Sequence, residues 1–151
     1  MRRPPEWFAS AGIVFDADVL IAYLGRDDAH HAQAVEQMRH ALEPGTRRLV
    51  SAVNYTEVLI GPLQKAGSAG AETVDAMFVR FGIETIQVDM ALARRAAAVR
   101  ARTRLKLPDA YALATAIHAE KRGHADVRLE TFDEKVIKAY KALHPLSPEL
   151  G

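Results

Sequence analysis

Two aspartates one residue apart, Asp16 and Asp18, sit between the apolar runs Ile13-Val14-Phe15 and Val19-Leu20-Ile21-Ala22-Tyr23-Leu24. A short apolar run bounded by turn chemistry predicts a buried strand, and the second run predicts a helix that starts at Val19 with Asp18 as its cap. Ligands of open α/β sheets bind beyond the carboxyl ends of the strands, which is where Asp16 falls. Such a pair suits either a metal site or a phosphoryl-transfer nucleophile. Capping leaves Asp16 without a structural task, whereas Asp18 is explained as well by the cap as by chemistry.

Three further acids stand at comparable places. Glu57 follows Asn54 at capping-box spacing, and its neighbours Val53, Tyr55, Val58, Leu59 and Ile60 would bury one side of it. Capping and chemistry both fit Glu57. Asp109 follows Pro108 in the first turn of a predicted helix, where the helix dipole favours an acid. That helix carries Ala110, Ala112, Ala114, Ala116 and Ala119, and small residues let it lie close on a sheet and hold Asp109 near Asp16. Asp133 lies just past a predicted strand over residues 127–130. Thr131 and Glu134 account for each other as a capping box, so Asp133 is left over in the same topological position as Asp16.

Four acids at strand ends and helix starts repel one another unless a cation sits among them. Two like charges about 4 Å apart cost on the order of 4 kcal/mol at an effective dielectric of about 20. An all-oxygen donor set suits Mg²⁺ or Mn²⁺, which take few carboxylates and keep waters for a substrate phosphate. The chemistry this implies is metal-assisted phosphodiester hydrolysis, in which the ion stabilises charge on the phosphate and lowers the pKa of the attacking water.

The elements that must position these acids alternate along the chain. After the first strand and helix, Asp27-Asp28 caps a predicted helix over residues 29–42, which Pro44-Gly45 stop. A strand over 48–51 and helices over 54–66 and 69–81 follow, the last ended by Gly82. A strand over 84–88, a helix over 90–104 capped by Asp89, and a helix from Pro108 to Gly123 come next. The strand over 127–130 then leads into a helix through Lys141 that Thr131 caps. Helices, often in pairs, separate the strands, which predicts an α/β fold with a parallel sheet and helices on both faces.

The 151 residues fit one domain, read here as residues 13–146 between an N-terminal extension (1–12, with Trp7 and Phe8) and a tail (147–151). Pro145 and Pro148 restrict any last strand to a short edge. The absence of cysteine excludes structural disulfides and thiolate zinc sites. With 20 basic against 19 acidic residues, affinity for nucleic acid depends on where the charges sit rather than on their sum. No stretch reaches the roughly 18 apolar residues of a membrane span. Pro4, Pro5 and Glu6 break any signal-peptide core, so a cytoplasmic protein without a membrane partner is expected.

Taken together, four segments resemble a PIN domain, and in length and layout a VapC-type toxin ribonuclease. They are Val14-Phe15-Asp16-Ala17-Asp18-Val19-Leu20-Ile21, Ser51-Ala52-Val53-Asn54-Tyr55-Thr56-Glu57-Val58, Leu107-Pro108-Asp109-Ala110-Tyr111-Ala112-Leu113-Ala114-Thr115-Ala116 and Leu129-Glu130-Thr131-Phe132-Asp133. They come in the family's order and cover most of residues 13–140. The resemblance implies a three-layer α/β/α fold with a short parallel central sheet. It also implies a Mg²⁺- or Mn²⁺-dependent endoribonuclease in which Asp16, Glu57, Asp109 and Asp133 hold metal. Thr131 would orient a ligand or bound water. Asp18 stands where the family usually has a small polar residue, which leaves it as a cap and an outer ligand. An RNA substrate, a small cognate antitoxin that masks the site, and a homodimer are implied as well. The twelve-residue start is longer than usual for the family.

The same opening also resembles the haloacid-dehalogenase phosphatase motif, with Asp16 as nucleophile and Asp18 as acid/base. Lys106 and Thr131-Phe132-Asp133-Glu134 match the rest of that motif poorly, and no cap domain fits the remaining length. A PIN-like module that binds RNA or a partner without cutting is a further alternative; the intact set of four acids favours the enzyme. Between Met90 and Pro108 the charged residues are Arg94, Arg95, Arg100, Arg102, Arg104 and Lys106, all basic. They form either a solvated helix face or a track guiding RNA phosphates toward Asp109, with Arg102 and Arg104 best placed. His30 and His31 are adjacent on a helix and cannot serve one site together, and His118 stands alone. Met77, Phe78 and Phe81 read as core, and the resemblance implies an antitoxin groove in which Tyr23, Met38 and Leu42 would join them.

Overall fold

Strand β1 (Ala11–Phe15) buries Ile13, Val14 and Phe15 alike, so both of its faces are covered, as an unalternating apolar run requires. The computed structural model describes residues 11–124 and 126–143. Helices α1 (Ala17–Leu24) and α2 (His31–Ala41) lead to β2 (Thr46–Ser51). Helices α3 (Ala52–Ala66) and α4 (Ser68–Phe81) lead to β3 (Ile83–Ile86), and α5 (Met90–Thr103) and α6 (Leu107–Lys121) lead to β4 (Asp126–Glu130). Helix α7 (Glu134–Leu143) closes the described chain. All strand pairs are parallel, and their order across the sheet is β3-β2-β1-β4.

Ile13 and Phe15 face a layer that α1 to α4 build with Val19, Leu20, Met38, Val58, Val74 and Phe78. Val14 faces the other way, onto Ala116 and Ala119 of α6. Behind α6, Leu92 and Val99 of α5 and Val136 of α7 meet Leu113 and Ile117. The result is the expected three-layer α/β/α sandwich with a short parallel sheet. Helix α6 is covered on nearly every side: Ala110, Ala112, Leu113, Ala114, Ala116, Ile117 and Ala119 are all buried. Its alanines let it lie against the sheet, and that fixes where Asp109 stands. No helix among the described residues is long and apolar enough to cross a membrane.

Four helix starts differ from expectation, three of them in which neighbouring residue supplies the cap. Asp16, not Asp18, caps α1: its Oδ1 accepts the Ala17 amide at 2.8 Å, and the helix begins two residues earlier than Val19. Ser51, not Asn54, caps α3, its hydroxyl accepting the Asn54 amide at 3.0 Å. Asp133, not Thr131, caps α7, with Oδ1 accepting from the Lys135 amide at 2.8 Å. In the first two cases the chain turns into helix almost at once on leaving the strand, so the cap is the earlier residue. In the third, Thr131 is drawn out of capping by a contact across the sheet. Helix α2 starts at His31 rather than Ala29, and Asp27-Asp28 does not cap it: the Asp28 carboxylate accepts the His30 amide in a turn, and His30 precedes the helix without a side-chain capping bond. Strand β3 spans Ile83–Ile86 rather than 84–88, and Asp89 caps α5 as expected. Strand β1 takes in Ala11 and Gly12. Trp7, Phe8, the edge strand near Pro145 and Pro148, and the tail lie outside the described residues.

Arg48 ties the helical layer to the sheet. Its guanidinium donates to the carbonyl oxygens of Ala41 at the end of α2 and Phe81 at the end of α4 (2.8 and 2.6 Å), and to Thr46 O. Terminal helix carbonyls have no partner within the helix, so one charged side chain settles two helix ends at once.

Candidate active site

The chain runs from β1 outward to β2 and β3 on one side, then returns to the other side of β1 as β4. The crevice at the carboxyl ends of β1 and β4 is therefore the topological switch point, where α/β sheets place ligands. Asp16 follows β1 directly, and its amide donates to Glu130 O at 2.9 Å, extending the β1–β4 ladder by one bond. Asp16 is only 3 % exposed. While Oδ1 caps α1, Oδ2 accepts the Thr131 hydroxyl at 2.9 Å. The same Thr131 oxygen accepts the Asp133 amide at 3.1 Å and lies 3.4 Å from Asp18 Oδ2. Asp18 Oδ2 accepts the Phe132 amide at 2.9 Å, and its Oδ1 is buried without a hydrogen-bond partner. One threonine thus links three acids from two chain segments.

Glu57 and Asp109 are joined to this group through Asn54, a fully buried residue that sequence reasoning marks only as a cap. Asn54 Nδ2 donates to Glu57 Oε1 at 2.9 Å and to Pro108 O at 3.0 Å. Its Oδ1 accepts the Ser51 hydroxyl at 2.6 Å. Asn54 therefore fastens the start of α3 to the start of α6 and aims Glu57 toward Asp109. The signal that could have found it is its place one helical turn before an acid, following a strand whose own last residue, Ser51, suffices as the cap.

Electrostatics shows how close the acids stand. Burial pushes the Asp16 carboxyl from 3.8 up to about 8, with the charges of Asp18 and Asp109 adding to the rise and Thr131 and the Ala17 amide opposing it. Burial also raises Asp18, against the Phe132 and Val19 amides and the Thr131 hydroxyl, with Asp133 adding to the rise. Asp109 is raised by burial, then by Asp133, Glu57 and Asp18, with Lys106 opposing. Every predicted acid takes part in this mutual repulsion. Among the described residues no three His, Asp or Glu side chains are already gathered tightly enough to enclose an ion. The donor set nevertheless fits a hard divalent cation. It is all oxygen, it has excess negative charge to neutralise and an unpartnered buried oxygen at Asp18, and Mg²⁺ keeps several waters and needs only one or two carboxylates directly.

The basic run divides. Arg95 reaches His118 Nδ1 at 3.3 Å, and Arg100 folds back on the carbonyls of Arg104 and Leu105 at the end of α5 (2.9 and 2.5 Å). Arg94, Arg102, Arg104 and Lys106 are exposed. Arg104 is the described non-glycine residue with positive φ (60°), where it ends α5. His31 is bolted to Ala22 O (2.8 Å), whereas His30 is exposed. Met38, Met77 and Phe78 are buried, whereas Tyr23 and Phe81 are half-buried and line, with Met77, a pocket of about 500 Å³, and Leu42 is exposed. Ile21, Ile60 and Leu63 are among the other exposed apolar side chains; of these, Ile21 and Ile60 line, with Leu24, Val58 and Pro62, a groove of about 670 Å³ that reaches Glu57.

Several solved structures are similar to this chain. A toxin–antitoxin complex from Klebsiella pneumoniae contains a chain 28 % identical, with a TM-score of 0.58, covering 85 % of this chain and 90 % of that one. Mycobacterium tuberculosis VapC20, a sarcin–ricin loop cleaving toxin, is 19 % identical with a TM-score of 0.63, covering 84 % of this chain and 94 % of its own. VapBC2 from Rickettsia felis, bound to a DNA fragment from its promoter, gives 15 % identity and a TM-score of 0.62, covering 89 % and 95 %. The last two likenesses concern the fold alone. No curated protein sequence matches the chain. The family model of the PIN domain matches residues 13–142, a span that takes in most of β1, all four acid-bearing segments and nearly the whole of α7. This chain belongs to the PIN domain family.

Proposed function

We propose that this protein is a Mg²⁺- or Mn²⁺-dependent endoribonuclease, the toxin of a toxin–antitoxin pair acting in the cytoplasm. The observation that carries the reading is the convergence of Asp16, Asp109, Asp133 and Glu57, with Asp18, at the β1/β4 switch point. There burial and mutual repulsion together lift Asp16 to about 8. Membership of the PIN family supports a nuclease, and the toxin–antitoxin complex of the Klebsiella relative supports the biological setting.

Asp16, Asp109, Asp133 and Glu57 would hold the ion. When bound, it supplies charge stabilisation at the phosphate and acidifies a water. Thr131 holds the Asp16 carboxylate in one orientation from across the sheet, and Asn54 holds Glu57 facing α6. Asp18 takes the Phe132 amide and so fixes the turn that presents Asp133. Arg102 and Arg104 would contact RNA phosphates without reading sequence, in a manner that weakens with salt. The phosphatase alternative loses support because the family model that matches residues 13–142 is that of the PIN domain.

RNA cleavage with Mg²⁺ or Mn²⁺ tests the reading. Asp109→Ala should lower the rate by more than about 100-fold, since even residues behind a metal ligand are worth roughly 10–100-fold. Equal rates in wild type and variant would refute it. The apolar groove is the surface we assign to the antitoxin, because it is exposed, largely apolar and leads to Glu57. Ile60→Lys should leave RNA cleavage intact but release the enzyme from inhibition by the product of a small open reading frame beside its gene. Unchanged inhibition would move the partner elsewhere.

A further inference from the structure

We propose that His30 and Phe132 form a platform on which one nucleobase of a single-stranded RNA substrate stacks beside the acid cluster. The inference rests on the nuclease reading above and extends it to how the substrate is seated. The two rings are stacked, with centroids 4.7 Å apart and planes 19° from parallel. Phe132 lies between Thr131 and Asp133, and its amide is held by Asp18 Oδ2, so the ring is anchored to the residues that build the site. On its inner side Phe132 packs against the core beneath α1 to α4.

His30 is the outer ring of the pair. It occupies the position before α2 yet makes no side-chain capping bond, and its side chain is 54 % exposed. Asp28 Oδ1 stands 3.8 Å from its Nδ1, within ion-pair distance, and also accepts the His30 amide at 2.8 Å. The neighbouring His31 differs: half-buried, it is bonded to Ala22 O. An exposed ring, backed by a second ring fixed at the proposed metal-binding acids, is the arrangement that proteins use to seat splayed-out bases of single strands. The acids themselves offer RNA no attraction without a cation, so a stacking surface gives the chain a hold on substrate that does not depend on the ion.

Stacking needs a ring, not an imidazole, and this separates the inference from an acid–base role for His30. A short single-stranded oligoribonucleotide carrying a fluorescent purine analogue, quenched on stacking, is titrated with wild type, His30→Ala, His30→Phe and Phe132→Leu in the absence of divalent metal. Cleavage of the same strand is then followed with Mg²⁺. Quenching should be present in wild type and His30→Phe, and absent in His30→Ala. The KM of His30→Ala should rise about tenfold at nearly unchanged kcat, as expected for one base stack, and His30→Phe should restore it. Phe132→Leu, which keeps an apolar filler over the core, should weaken quenching in part. Quenching and KM unaltered in His30→Ala would overturn the inference while leaving the nuclease intact, as would a His30→Phe variant as impaired as His30→Ala. A wild type that cleaves no RNA with either metal would instead remove the nuclease reading, and the platform with it.

Discussion

Asp16→Asn is expected to make the metal-free protein more stable at neutral and alkaline pH while removing the proposed RNA cleavage. Burial, then the charges of Asp18 and Asp109, raise the Asp16 carboxyl from 3.8 to about 8. A pKa that is higher in the folded than in the unfolded state means that the folded state holds the proton more tightly. The stability contributed by this group is therefore complete below about pH 4 and is lost as pH rises through about 8. Asn never ionises, so the variant does not suffer that loss. A tenfold difference in proton affinity between the folded and unfolded chain is worth about 1.36 kcal/mol; allowing half for relaxation around the charge, the variant should gain about 2–3 kcal/mol by pH 8 and nothing at pH 4. Asn serves as well as Asp at an N-cap, so the Ala17 bond survives. Thr131, facing an amide, can turn its hydroxyl toward Asp18 Oδ2, 3.4 Å away.

The measurement is a pair of thermal melts in chelator at the two ends of that pH range. A gain of this size moves the midpoint by roughly 5–10 °C in a chain of this length. Added Mg²⁺ should reverse the order, because only the wild type gains from a ligand that binds the folded state. A variant less stable than wild type across the whole range would show that the Thr131 bond outweighs the repulsion, and the acids would then be a structural network.

Both the fold and the gathering of the acids are legible in the sequence because each rests on a local pattern. The run Ile13-Val14-Phe15 announces a strand covered on both faces, and the alanines after Asp109 announce a helix that can lie flat on a sheet. What the sequence conceals is how the acids are held. Three times capping rules point to the wrong residue: Asp18 for Asp16, Asn54 for Ser51, Thr131 for Asp133. Those rules look for a short polar residue before an apolar run, and each of these strand ends offers two. The residue freed from capping is in every case one that reaches across the molecule: Asp18 to Phe132, Asn54 to Pro108, Thr131 to Asp16. Those contacts join segments 54 to 115 positions apart, so no local pattern encodes them. A consequence is that Asp16 and Asp133 serve at once as caps and as carboxylates of the proposed site. Helix α1 and helix α7 thereby begin at the site, and a substitution at either acid touches fold and chemistry together.

Gly70→Ala should destabilise the protein more than a methyl added at any other described glycine of ordinary backbone conformation. A Cβ at Gly70 would stand 2.0 Å from Pro62 O and 2.4 Å from Pro62 C, both backbone atoms. Ordinary contact begins near about 3.5 Å, so α3 and α4 would have to part by more than about 1 Å. They cannot do so freely. Gly67, in a backbone conformation that suits glycine (φ 61°, ψ −140°), joins them with no intervening loop, and Val58, Val74 and Phe78 fill the space beneath. Pro62 adds to the constraint, since a proline inside a helix lacks the amide to restore a displaced turn. Overpacking of this kind costs about 3 kcal/mol, which urea unfolding resolves easily. Gly61→Ala is the matched control: it sits one residue before Pro62 on the same helix, and a Cβ there meets nothing within 4 Å. Removing glycine from an exposed helix interior should stabilise by up to about 1 kcal/mol. The two substitutions add the same methyl group to opposite effect, and equal midpoints would show that the α3–α4 approach tolerates separation. If it does not, the spacing of these helices also sets the width of the apolar groove, since Ile60, Pro62 and Gly70 line it together. The close approach at Gly70 would then hold in shape both the wall that receives a partner and the helix that carries Glu57.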